Sequence, residues 1–155
     1  MSKTKILMVC LGNICRSPLA EGILRAKLDS SKFLVDSVGT GEWHIGKKPD
    51  SRSIDIAKKN QIDISNLRGR QFSISDFEAF DLIYVMDNSN YRDVIKLASN
   101  EIYKNKVDLI LNELFPDENV DVPDPYYGNE KDFEKVFNML DLACKNIKLK
   151  LDKID

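Results

Sequence analysis

The chain has 155 residues, 43% of them hydrophobic and 31% charged, enough for one ordinary domain with an enclosed core and too few for two. Its 23 Lys and Arg nearly cancel 25 Asp and Glu, which excludes a broad basic face for nucleic acid or an anionic membrane surface. Three cysteines with no C-x-x-C pair speak against a disulfide framework or a structural zinc site and for a reducing, cytoplasmic setting.

The first apolar run, Ile6 to Leu11, is too short for a signal or membrane-spanning segment and reads as a strand, "KILMVC", over residues 5–10. Leu19, Ile23, Leu24 and Leu28 then lie at helical spacing within residues 18–29, and "KFLVDSVG" (32–39) is a second strand. "SRSIDIAKKNQI" has a helical pattern, and "FDLIYVMD" (80–87) is the apolar run of a strand buried on both faces. A helix is predicted over about residues 89–98 and a fourth strand over 106–111. The last segment carries an unbroken apolar stripe, Phe133, Phe137, Leu140, Cys144, Ile147, Leu151 and Ile154, in steps of four and three, as in a helix covering one face of a sheet. Alternating strands and helices imply right-handed crossovers: a single-domain, doubly wound (flavodoxin-like) α/β fold over residues 1–155, with a central parallel sheet of about four strands.

In such sheets the loops at the carboxyl ends of the strands form the binding crevice, and residues 10–17 are the first of them. The backbone N–H groups of Leu11, Gly12, Asn13, Ile14, Cys15 and Arg16, backed by a helix N-terminus, make an anion cradle. Gly12 and Asn13 tolerate the left-handed angles of a tight nest, and Pro18 suits a first helical turn. Cys10, facing that helix end and an arginine, is expected to be held as a nucleophilic thiolate. Arg16 offers a planar fork of donors that matches two oxygens of a phosphate. Thiolate, cradle and guanidinium together specify attack on phosphorus through a cysteinyl-phosphate, with Ser17 hydrogen-bonding the sulfur to ease its departure. The leaving oxygen needs a proton, and "VDVPDPYYGNE" supplies Asp124 between two prolines, with Asp121 as its competitor.

"CLGNICRSP" has the C-x5-R-S form of the low-molecular-weight protein tyrosine phosphatases, and "DPYYG" resembles that family's general-acid loop. The similarity runs through "SVGTGEWHIGKKPDSRS", "RGRQ" and "FDLIYVMDNSNYRDV" in family order. It implies Cys10 as nucleophile, Arg16 as phosphate binder, Ser17 as leaving-group aid, Asn13 as loop brace and Asp124 as acid, without metal or cofactor. Phosphotyrosine is the implied substrate, because Ile14 stands where the similar arginine phosphatases carry a smaller threonine. Trp43, Tyr126 and Tyr127 are the implied walls of a slot deep enough for a phenyl ring. The partners are then a tyrosine-phosphorylated protein, such as a tyrosine kinase, and inorganic phosphate as product. The chain departs from the family at Leu67, where members often carry a histidine that helps brace the loop asparagine.

Cys15 reads either as packing beneath the loop or as a redox partner that protects Cys10 in a reversible disulfide. Cys144 belongs to the core stripe, and His44, the only histidine, to a loop at the rim. The alternatives on the same fold are a protein arginine phosphatase and an arsenate-reductase-like thiol enzyme. The latter relays electrons through mid-chain cysteines, and residues 16–143 contain none. Phosphocysteine carriers resemble the layout but lack the arginine and the acid.

Overall fold

The computed structural model describes residues 2–153. Strand β1, Thr4–Cys10, lies between β2, Phe33–Gly39, and β3, Leu82–Val85; β4, Val107–Leu109, completes a four-stranded sheet in the order β2-β1-β3-β4, with every pairing parallel. The central strands β1 and β3 read as continuous apolar runs because both faces are covered. Ile6, Met8 and Cys10 point into a core shared with helices α1 (Arg16–Lys27), α2 (Ser51–Lys59) and α6 (Glu130–Asp152). Leu7 and Val9 point the other way, onto Phe72, Phe77 and Val94, the last two carried by α3 (Asp76–Ala79) and α4 (Asn88–Ile95). The period of two along β1 thus aims the Cys10 sulfur toward α1.

The elements follow the sequence pattern with shifts at their ends. Helix α1 begins at Arg16, two residues before the expected start, and ends at Lys27. Pro18 is tolerated there because first-turn N–H groups have no intrahelical acceptor. Arg16 and Ser17 are therefore on the helix, and the loop proper is residues 11–15. Helix α2 stops at Lys59, short of the expected 62, where Gln61 turns to a left-handed φ of 63°. Strand β4 gives way after Leu109 to a 3-10 turn, Ile110–Glu113. The four-residue helices α3 and α5 (Glu101–Lys104) are too short to leave a periodic signal. Asn129 and Asp132 close a capping box on α6, and its stripe from Phe133 to Leu151 is buried, while Ile154 lies outside the described residues. Among the described residues no helix is long and apolar enough to cross a membrane.

The register sets Cys10 beside Gly39. A side chain at Gly39 would come within 2.8 Å of the Leu11 carbonyl oxygen and 3.0 Å of the Asn13 nitrogen, so the loop leaving β1 can fold over the end of β2 only above a glycine.

Candidate active site

The loop from Cys10 to Arg16 folds around its own sulfur. Asn13 takes the left-handed conformation (φ 57°), and its N–H donates to Cys10 Sγ at 3.2 Å. The Ser17 hydroxyl lies 3.0 Å from the same sulfur, and Asn13 Nδ2 donates to Ser17 Oγ at 2.8 Å. Cys10 is 2% exposed and Ser17 fully buried.

Arg16 is held from behind. Its Nη1 donates to Asp87 Oδ2 at 2.7 Å and to the Val122 carbonyl at 2.9 Å, which leaves the Nη2 end 3.8 Å from Asp124 Oδ2. Burial alone would lower the guanidinium's pKa, but Cys10, Asp87 and Asp124 outweigh it and hold Arg16 above the ordinary arginine value. The charge is therefore permanent in a site that is 3% exposed at this side chain.

These groups open onto a cleft of about 250 Å³ lined by Cys10, Leu11, Gly12, Ile14, Cys15 and Arg16, with Trp43, His44, Asp124, Tyr126 and Tyr127 around it. The floor is thiol and backbone, the wall guanidinium and carboxyl, and the rim aromatic. Tyr126 and Tyr127 meet edge to face, with ring centroids 4.9 Å apart. Tyr127 and Trp43 are mostly exposed, so they form a rim more than a closed slot. Asp124 lines the cleft, whereas Asp121 is turned away: its Oδ1 accepts from Asn88 N and Nδ2 at 2.8 and 2.6 Å. A larger cleft of about 510 Å³ between α2 and α6 contains none of the loop residues.

The family model for the low molecular weight phosphotyrosine protein phosphatases matches residues 5–154. This chain belongs to that family. A low molecular weight phosphotyrosine protein phosphatase of Gallus gallus is 42% identical over 144 residues, 90% of either chain. The crystal structure of a protein tyrosine phosphatase of Entamoeba histolytica with Hepes in its active site superposes with a TM-score of 0.91 at 37% identity, over 97% of this chain and 98% of that one. Wzb of Vibrio vulnificus in complex with benzylphosphonate gives 0.86 at 30% identity, over 96% and 99%. The protein is accordingly a protein-tyrosine-phosphatase, and phosphotyrosine proteins are the substrate class its family implies.

In this low molecular weight phosphatase the loop asparagine is fully braced without a histidine. Asn13 Nδ2 also donates to Ser37 Oγ at 3.0 Å, and its Oδ1 accepts from Arg70 N at 3.0 Å. Leu67 packs against the core instead. Asn13 itself is off the cleft wall, its N–H spent on the sulfur. Cys15 is 5% exposed, and its thiol is pushed up to about 12, first by burial and then by Asp50 and Cys10. It stays protonated near neutrality.

Three residues that the sequence reading missed support the loop. Asp87 caps α4 through Oδ1, which accepts from Asn90 N at 2.8 Å, while its other oxygen holds Arg16. The signal for it was present: it ends the run "FDLIYVMD", at the carboxyl edge where ligands gather. Ser37 links Asn13 to Glu21, donating to Glu21 Oε1 at 2.7 Å, and Glu21 pairs with Arg25.

Glu21 is 1% exposed, and burial pushes its carboxyl from 4.5 up to about 7, although Ser37 and Arg25 pull the other way. A folded-state value above the unfolded one contributes stability that is complete below about 4.5 and lost as the pH rises through about 7. Urea unfolding of Glu21→Gln beside the parent protein at pH 5 and pH 8 is expected to show the parent losing on the order of 3 kcal/mol more than the variant over that span. Equal pH dependence would mean that this carboxyl does not titrate in the folded protein.

Proposed function

We propose that this phosphatase hydrolyses phosphotyrosine with Cys10 as nucleophile, Arg16 and the amides of residues 11, 12 and 14–16 as the phosphate cradle, and Asp124 as general acid and base. The observation that carries the reading is the convergence on one cleft of a sulfur with two hydrogen-bond partners, a rear-anchored guanidinium and a carboxyl. Cys10 Sγ displaces the tyrosine oxygen from phosphorus, forming the S–P bond as the P–O bond breaks, and Asp124 gives its proton to the departing phenolate. Water then attacks the phosphocysteine, Asp124 takes up the water's proton, and inorganic phosphate leaves. Ser17, 3.0 Å from the sulfur, stabilises the thiolate as it departs. Arg16 grips the oxygens on which charge develops.

Ile14 on the cleft wall and the aromatic rim suit a phenyl ring, and benzylphosphonate, bound by the Vibrio relative, is an aryl-methyl analogue of the same shape. A tyrosine kinase phosphorylated on its own tyrosines is a substrate of the right kind. We assign the activity to one domain spanning residues 1–155 and place it in the cytoplasm, where the three cysteines stay reduced. Under peroxide, Cys10 oxidised to the sulfenic acid condenses with the Cys15 thiol, releasing water, and a cellular thiol restores both.

Asp124→Asn is the test of the acid. The kcat/KM for a phosphotyrosine peptide is expected to fall roughly 10²- to 10⁴-fold, whereas that for an aryl phosphate whose phenol is already acidic should be affected far less. Equal losses in kcat/KM, which reports phosphoryl transfer to Cys10 and not the later hydrolysis, on both substrates would remove Asp124 from the role of acid.

A further inference from the structure

The segment that carries Asp124 is poorly tied to the rest of the fold. Pro123 and Pro125 have no N–H to offer, Tyr126 N turns back to Asp124 Oδ1 at 3.1 Å, and Gly128 N turns back to the Pro125 carbonyl at 2.8 Å. Among the described residues, the hydrogen bonds that reach residues 123–128 from outside the segment come from one side chain: Arg52 Nη2 donates to the Tyr126 carbonyl at 2.8 Å and Nη1 to the Gly128 carbonyl at 3.2 Å.

Arg52 is in turn fixed on its other edge. Its Nε and Nη2 donate to the two oxygens of Asp50 at 3.0 and 2.8 Å, and the guanidinium carbon sits 4.5 Å from the centre of the Phe133 ring at the start of α6. Asp50 caps α2 by accepting from Arg52 N at 2.9 Å, and its own N–H donates to the Ile14 carbonyl at 2.7 Å. One guanidinium therefore connects the phosphate loop, α2, the acid loop and α6.

We propose that Arg52 is a positioning residue for Asp124, a fork that sets the acid loop at the height of the leaving oxygen above the phosphate cradle. The proposal rests on the reading of Asp124 as the acid. The Arg16–Asp124 contact of 3.8 Å is too long to do this alone. Two carbonyls taken by two nitrogens of one planar group fix both the position and the tilt of the turn, whereas a lysine ammonium, a compact charge on a flexible stem, has no rigid spacing between donors to set that tilt.

Arg52→Met keeps an apolar stem against Phe133 and removes the fork, and Arg52→Lys restores the charge on one compact ammonium without the fork. With kcat/KM measured on a phosphotyrosine peptide and on an aryl phosphate with an acidic phenol, Arg52→Met is expected to lose roughly tenfold to a hundredfold on the peptide. It should change little on the acidic substrate, with Arg52→Lys between Met and the parent. Added to Asp124→Asn, Arg52→Met should cost nothing further on the peptide, because an acid that is absent cannot be misplaced. Equal losses on the two substrates, or full additivity with Asp124→Asn, would overturn the clamp while leaving the acid in place. A single Asp124→Asn variant without leaving-group dependence would instead overturn the acid assignment, and the clamp with it. Melting temperatures of both Arg52 variants, measured alongside, separate a displaced loop from a loosened α2: a loss of peptide activity explained by unfolding at the assay temperature would count against the clamp.

Discussion

Cys10→Ser is expected to lower kcat on phosphotyrosine peptides by roughly 10⁴-fold or more, the scale seen when a covalent nucleophile is removed. A serine hydroxyl carries no charge near neutrality and is a far weaker nucleophile than a thiolate. The substitution leaves the rest of the site standing. Asn13 N and Ser17 Oγ, at 3.2 and 3.0 Å from the sulfur, can serve an oxygen as well, and Arg16 keeps its anchors on Asp87 and the Val122 carbonyl. The variant should therefore still bind inorganic phosphate, read as a rise in melting temperature with added phosphate, while a rapid quench finds no phosphoenzyme. Retained turnover would refute the covalent route, and turnover lost together with phosphate binding would point to a collapsed loop.

Arg16→Lys is expected to cost roughly 10³-fold or more in kcat/KM, within the range reported for arginines that stabilise a transferring phosphoryl group. The charge survives this exchange, so a Coulombic argument alone predicts a small effect. The geometry predicts a large one. Arg16 divides its fork between two tasks, with Nη1 on Asp87 and the Val122 carbonyl and Nη2 left for the cleft. An ammonium drawn to Asp87 at 2.7 Å would leave nothing to reach a phosphate oxygen, and one reaching the phosphate would leave the Asp87 carboxylate without its partner. Kinetics on a phosphotyrosine peptide with phosphate as product inhibitor checks it: both kcat/KM and phosphate affinity should fall. A lysine variant within tenfold of the parent would show that charge, not the fork, is what Arg16 supplies.

The two arms of Arg16 illustrate where sequence reading stopped. The role proposed for it toward phosphate was legible from C-x5-R-S, because the loop is continuous in the chain and its amides, glycine and helix start are local features. Its anchor, Asp87, lies 71 residues away and meets it only because β3 pairs with β1 and ends beside the same crevice. The string "VDVPDPYYG" favoured Asp124 as the acid, stiffly placed between two prolines, and left Asp121 as its competitor. The fold separates them, since Asn88 at the start of α4 takes up the first and the cleft receives the second. Leu67 looked like a missing brace, yet Arg70 N and Ser37 brace Asn13 in its place. A backbone N–H leaves no trace in composition.

The sequence by itself determined the strand–helix alternation, the parallel four-stranded sheet and the contents of the loop, because periodicity, glycine and proline act over a few neighbouring residues. Only the tertiary structure decided which distant groups support that loop: Asp87 behind Arg16, Glu21 and Ser37 behind Asn13, and Arg52 on the acid turn. Those partnerships depend on the sheet order β2-β1-β3-β4 and on the packing of α2 and α6 across it. Hydrogen bonds are satisfied between surfaces brought together by burial of the apolar faces, and which polar group arrives opposite which is a property of the assembled core.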